Sequence, residues 1–183
     1  NFSGYSVTFL TTTKAIPKII TEPKLTGVYG DTAKNLKAAD GVAEYNGQTV
    51  AGTWAITDTD ASVLEVGTTK TCQVTFTPED TDKYENVVMK VVPTIEKRPV
   101  TINVQENMSV TYGEELPQIS TGDFDLADGF TLVGSDDKGT IAATLVMVTS
   151  AKKGSDAGTY AFTLESNSPN YAVTAKYYGK LDD

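Results

Sequence analysis

The chain has no histidine, a single cysteine and a single arginine among 183 residues. Without histidine it lacks the side chain most used as a general base near neutral pH and the commonest ligand for transition metals. Its many Ser and Thr hydroxyls therefore have no imidazole to activate them, and no Ser-x-x-Lys is expected at a helix start to replace it. Cys72 cannot form an internal disulfide, and its place in an alternating segment marks it as a small buried hydrophobe rather than a nucleophile. No apolar run approaches the roughly 20 residues of a membrane helix, so no membrane insertion is expected. Clean helical periodicity is missing from every long stretch. Beginning at Asn1 with neither Met nor a signal peptide, the chain reads as a processed or excised fragment.

Charge narrows the function further. There are 24 acidic and 15 basic residues, for a formal charge of −9. Such a surface repels phosphate backbones, which argues against a nucleic-acid partner. The acidic loops Pro78-Glu79-Asp80-Thr81-Asp82 and Ser135-Asp136-Asp137 lack the Asp-x-Asp-x-Asp-Gly spacing that gathers oxygen ligands around calcium. They read as solvated turns, and no metal or cofactor is expected. A glycosidase needs two carboxylates facing across a cleft, and nothing in the sequence indicates one. The chain is not expected to be an enzyme.

What is present is β-type alternation. In Thr71–Pro78, Cys72, Val74 and Phe76 alternate with Thr71, Gln73 and Thr75, which puts the first set on one face of a strand and the second on the other. Pro78 to Asp82 closes that strand, Val87–Val92 forms the next, and Glu96-Lys97-Arg98-Pro99 is a short charged connection before Val100, Ile102 and Val104 restart the pattern. Further strands are expected at Tyr5–Phe9, Lys18–Leu25, Thr49–Thr57, Met108–Tyr112, Thr140–Thr149, Tyr160–Leu164 and Tyr171–Tyr177. Asn46-Gly47 between β-type segments is the strongest hairpin signal. Ala33, Leu36 and Ala39 give the only helical hint in the first half, and the second half offers no helix of useful length.

Three landmarks recur in order. Tyr29-Gly30-Asp31 matches Tyr112-Gly113-Glu114, Val66-Gly67-Thr68 matches Ala157-Gly158-Thr159, and Lys83-Tyr84 matches Asn170-Tyr171. Their spacings differ by a few residues, as loop insertions produce. The reading is a divergent duplication: 1–17 a strand and linker, either the tail of a preceding module or the first strand of the domain itself; 18–97 a first β domain; 98–183 a second. The expected fold is all-β, two tandem Ig-like β-sandwich domains, with a β-grasp-like arrangement in one domain as the alternative.

Gly67-Thr68, Gln73-Val74-Thr75-Phe76-Thr77-Pro78 and Asp82-Lys83-Tyr84-Glu85-Asn86 resemble repeats of large bacterial surface proteins. Val110-Thr111-Tyr112-Gly113-Glu114, Ala157-Gly158-Thr159-Tyr160 and Asn170-Tyr171 resemble the YGX-type MBG repeats of bacterial adhesins. Glu114 departs from the commoner Asp, and the loop at Ser150–Gly154 is long. The resemblance implies a non-catalytic, extracellular module on a bacterial cell surface, acting as stalk or interaction repeat, and it carries over no catalytic residues. Its expected partners are neighbouring modules of the same chain and a host or cell-surface glycoprotein or polysaccharide, with the chain itself a monomer. The alternative is a glycan-binding module in which Tyr45, Trp54, Tyr177 and Tyr178 offer flat aromatic faces, although core packing is the plainer role for such rings. Lys90, with Glu65 or Asp58, is the best candidate for a Lys–Asn isopeptide crosslink of the kind some surface domains carry. The plainer reading is a lysine on the outer face of a strand.

Overall fold

A computed structural model describes residues 10–105 and 108–178, and in side-chain detail up to residue 177. The strand expected at Tyr5–Phe9 lies outside the described residues. The described chain is all-β apart from two short helical turns, and its several small sheets are consistent with a sandwich-like architecture. It divides into two compact units. Unit 1 comprises the described residues up to Thr26, with Ala33–Ala61 and Thr69–Pro93. Unit 2 comprises Gly27–Thr32, Ser62–Thr68 and the described residues from Thr94 onward.

In unit 1, the expected strand Lys18–Leu25 is two short ones, β1 (Lys18–Thr21) and β2 (Lys24–Val28, which continues into unit 2). Pro23 separates them, having no N–H to offer a ladder. The helical hint at Ala33–Ala39 reduces to one 3-10 turn, Ala33–Asn35, closed by Leu36 N–H to Ala33 O at 3.3 Å. The chain then extends again as β3 (Lys37–Ala39), paired antiparallel with β2. The Asn46-Gly47 hairpin forms as read: β4 (Val42–Tyr45) pairs with β5 (Gln48–Thr49), and both turn residues take positive φ, 51° and 77°. Asn and Gly are the residues that tolerate this left-handed pair.

The core sheet of unit 1 is β6 (Gly52–Ile56), β7 (Cys72–Pro78) and β8 (Val87–Val91), antiparallel throughout. Burial along β7 follows the sequence alternation: Cys72, Val74, Phe76 and Pro78 are buried and Gln73, Thr75 and Thr77 half-buried. Phe76 packs with Ala43 and Val50, and Trp54 leans on it with ring centroids 5.1 Å apart. Close approach requires glycine here. A Cβ on Gly52 would sit 2.6 Å from the Phe76 ring, and one on Gly41 would sit 2.4 Å from the Trp54 indole.

Unit 2 begins with β9 (Thr94–Glu96) and β10 (Arg98–Gln105). The long strand β10 pairs antiparallel with β11 (Phe124–Leu126) and parallel with β14 (Tyr171–Tyr178). Val100, Ile102, Val104, Phe124 and Tyr171 are buried around it. β12 (Leu145–Thr149) and β13 (Phe162–Ser166) form an antiparallel pair.

Two expectations fail in unit 2. Thr140–Thr149 is not one strand, because its first part belongs to a helical turn, α1 (Lys138–Ala142). Asp137 Oδ1 accepts the Thr140 N–H at 2.9 Å while Thr140 Oγ1 accepts the Asp137 N–H at 3.2 Å. This reciprocal cap satisfies the donors that a helix start leaves open and outweighs the β-branched composition. Met108–Tyr112 is not a strand either. Its end is drawn into a turn in which Glu114 N–H donates to Thr111 O at 3.0 Å.

Candidate functional site

A polar cluster in unit 2 is built around Tyr171 at the start of β14. Ser168, itself buried, fixes that start by accepting the Tyr171 N–H on its Oγ at 3.1 Å. The Asn170 carbonyl accepts the Arg98 N–H at 2.9 Å, and Lys97 Nζ donates to the Ser168 carbonyl at 2.6 Å, which ties the start of β10 to the same turn. Tyr171 is 2% exposed and meets Tyr29, 7% exposed, edge to face with ring centroids 5.3 Å apart. Both phenols donate to a single oxygen, Asp136 Oδ2, at 2.7 Å from Tyr171 and 3.0 Å from Tyr29. The Tyr171 hydroxyl oxygen also accepts the Val133 N–H at 2.8 Å. Arg98 Nε donates to the Tyr29 carbonyl at 2.6 Å.

Tyr29 reaches this place through a tight turn. Asp31 N–H donates to Val28 O at 2.9 Å, Gly30 between them has φ 96°, and Asp31 Oδ2 accepts the Val28 N–H at 2.9 Å. A Cβ on Gly30 would lie 2.5 Å from Val133 Cγ2 and 3.0 Å from Arg98 Nη2. Glycine is needed there both for the left-handed φ and for the space. Residues 62–68 close over the turn: Leu64, 2% exposed, gives its carbonyl to Gly30 N–H at 3.4 Å and donates its own N–H to Asp31 O at 2.9 Å.

Chemically the cluster is a clasp. Burial, followed by the hydrogen bond to Asp136, raises both phenols, Tyr171 to about 12. Protonated phenols at neutral pH donate hydrogen bonds and make poor nucleophiles. The sign for stability follows directly. An unfolded tyrosine loses its proton near pH ~10 and the folded Tyr171 near 12, so the unfolded state binds fewer protons in that window and stability falls as pH rises. The contribution is complete below pH ~10 and, on the order of 2 kcal/mol, is lost through pH ~12. Denaturant midpoints taken from pH 8 to 12 should fall for the native chain and much less for Tyr171→Phe; parallel curves would count against the clasp.

The structure distributes the four aromatic candidates between the units, and each of the three whose side chains are described finds its aromatic partner outside that set. In unit 1, Tyr45 is 38% exposed and meets Tyr84 edge to face at 5.8 Å, whereas half-buried Trp54 lies on Phe76 and donates Nε1–H to the Gly41 carbonyl at 3.2 Å. In unit 2, Tyr177 is 37% exposed, stands edge-on to Phe162 at 5.8 Å and accepts the Leu164 N–H on its hydroxyl at 2.7 Å. Tyr178 ends β14 opposite Gln105. Lys90 is exposed on β8 across from Gln73. Asp58 is engaged elsewhere: its carboxylate accepts the N–H groups of Asp60 and Gln73, which hold it below the usual carboxylate range. Cys72 is buried, and burial pushes its thiol up, away from nucleophilic use. Of the acidic loops, Asp136 serves the tyrosines and Asp137 caps α1. Among the described residues no three acidic or cysteine side chains gather to hold a metal ion.

Tyr29, Arg98, Asp136 and Tyr171 were not singled out as a site by the sequence reading. Tyr29 and Tyr171 were visible as repeat landmarks and Arg98 as the only arginine, but nothing local joins residues 107 positions apart.

Unit 2 also carries an open face. Met108, Leu116, Pro117, Met147, Tyr160 and Phe162 line a groove of about 500 Å³, and a smaller one of about 200 Å³ lies between the turn 111–114 and the loop 151–158. Tyr112, the tyrosine of that turn, is 73% exposed.

Residues 100–181 match the model of the MBG domain (YGX type). The Tyr112-Gly113-Glu114 turn, β14 and β10 from Val100 onward fall inside the MBG match. MBG domains are non-enzymatic repeats that occur in surface proteins. No curated protein and no solved structure matches the chain. Among the described residues no helix is long and apolar enough to cross a membrane.

Proposed function

We propose that the chain is a non-catalytic structural or adhesive module of a bacterial cell-surface protein, working outside the cell as a stalk or interaction repeat. The observation that carries this reading is the MBG match over residues 100–181. The units suit the role: their conspicuous polar side chains are spent on holding loops and strand ends together, and the functional surface left is exposed loop. The chain acts as a monomeric unit in a series, with residues 18–97 and 98–183 as successive modules. Antibodies raised against the folded chain should label intact cells of the source organism. Labelling seen only after lysis would overturn the surface assignment.

A second reading is favoured by one observation, that the Tyr45 and Tyr177 rings are each more than a third exposed while an edge-on partner holds them in place. Rings presented in this way suit stacking on the sugars of a host or cell-surface glycoprotein or polysaccharide. On a glycan array, Tyr45→Ala or Tyr177→Ala should weaken any binding of the native chain by about tenfold, the scale of a lost stacking contact. Trp54→Ala is a poor probe, because it disturbs the Phe76 core.

A further inference from the structure

The two Tyr-Gly turns have the same build and opposite fates. Val28-Tyr29-Gly30-Asp31 and Thr111-Tyr112-Gly113-Glu114 each close with an N–H of the fourth residue on the carbonyl of the first, at 2.9 and 3.0 Å. Each has a glycine of positive φ in third place, 96° and 85°. This is the type II pattern, which presents the side chain of the second residue at the tip. The tip of the first turn, Tyr29, is 7% exposed, and its glycine is pressed against Val133 and Arg98. Tyr112 at the tip of the second is 73% exposed, and a Cβ on Gly113 would meet nothing within 4 Å.

The loops beside the two turns also correspond. The first turn is hydrogen-bonded to residues 62–68, which include Val66-Gly67-Thr68. The second lies beside the loop 151–158, which leads into the matching Ala157-Gly158-Thr159, and Lys153 Nζ reaches Glu115 Oε1 at 2.6 Å. Unit 2 thus receives one turn-and-loop pair and displays another of the same construction.

We propose that Tyr112-Gly113-Glu114 is a docking element that inserts into another module of this same kind. Its receptor is the site that holds Tyr29: a carboxylate to accept the phenol, the edge of a buried tyrosine, and a guanidinium for the carbonyl of the inserted tyrosine. The contact is heterologous, so it extends a row of modules rather than closing a pair. It rests on the reading of the chain as a repeat module and supplies the means by which one repeat engages the next. A second copy of the native chain is not the partner, because its own receptor is filled by Tyr29.

The test appends residues 96–183, carrying Tyr112→Phe so that a single Tyr112 remains, directly after Asp183 of the full chain. The distance along the chain from Tyr112 to the second Arg98 then stays within a few residues of the 69 that separate Tyr29 from Arg98. Tetranitromethane modification, read by peptide mass spectrometry, reports each tyrosine. In the 183-residue chain Tyr112 should react readily and Tyr29 should not. In the extended chain Tyr112 modification should slow by about tenfold or more, as for a group reached only through local opening. Asp136→Ala placed in the appended copy alone should restore the rate. An appended copy that folds with Tyr112 still reactive overturns the proposal, as does one that never folds although the turn is intact. Protection that survives the Asp136→Ala change overturns it too. None of these results touches surface location, which the antibody experiment decides separately.

Discussion

Tyr171→Ala is expected to destabilise unit 2 by about 3–5 kcal/mol, the usual cost of deleting a buried aromatic side chain. Tyr171 is 2% exposed at the start of the parallel pair, so removal leaves a cavity beside the Tyr29 ring rather than a surface indentation. The same change strips a partner from the Val133 N–H and leaves Asp136 with one tyrosine instead of two. Tyr171→Phe separates these effects: it keeps the ring and loses the hydroxyl, and should cost about 1–3 kcal/mol, the range for leaving buried polar partners unmet. A single small domain has roughly 5–15 kcal/mol in all, so the alanine variant should lose much of its cooperative transition. Amide hydrogen exchange along β10 and β14 would show it. Protection of those strands within a factor of a few of the native chain would mean that the clasp does not hold unit 2 together.

Phe76→Ala should have an effect of similar size, about 3–5 kcal/mol, in unit 1. The ring is 2% exposed, sits against Ala43 and Val50, and fills the space that Gly52 leaves by having no side chain. Its loss also removes the surface on which Trp54 leans at 5.1 Å. Because Trp54 is the only tryptophan in the chain, its fluorescence reports this neighbourhood alone. The variant should show red-shifted native emission and an early denaturant midpoint. An unchanged midpoint would mean that β6 and β7 are held by their ladder rather than by the ring packing.

Both variants probe places where the sequence was informative to different depths. The β7 strand was legible because burial on one face of a strand imposes a period of two, and Cys72, Val74 and Phe76 carry it. The Asn46-Gly47 hairpin was legible because few residues accept two successive positive φ values. The helical turn at Lys138–Ala142 was hidden by valine- and threonine-rich neighbours, and its signal was the three-residue spacing of Asp137 and Thr140. Met108, Val110 and Tyr112 alternate like a strand, but Gly113 and Glu114 bend the chain at its end. The Tyr-Gly turns were recognised as landmarks, whereas their burial was not. Tyr29 is covered because Val133, Asp136 and Tyr171 enclose it, whereas Tyr112 beside the loop 151–158 stays 73% exposed, and no local pattern records that difference.

The membership of residues 27–32 and 62–68 in unit 2 has a consequence for how the chain comes into being. A ribosome delivers Tyr29 long before Asp136 and Tyr171, and the hydrogen bond from Tyr29 to Asp136 spans 107 positions. Closing so distant a contact is entropically slow to begin, although each further lengthening adds little. The early turn therefore waits, already bent by its own glycine and aspartate, until the far end of the chain arrives to enclose it. A nascent chain halted after Pro93 would hold the Tyr29 turn with no receptor, and a piece begun at Thr94 would hold that receptor without the Tyr29 turn.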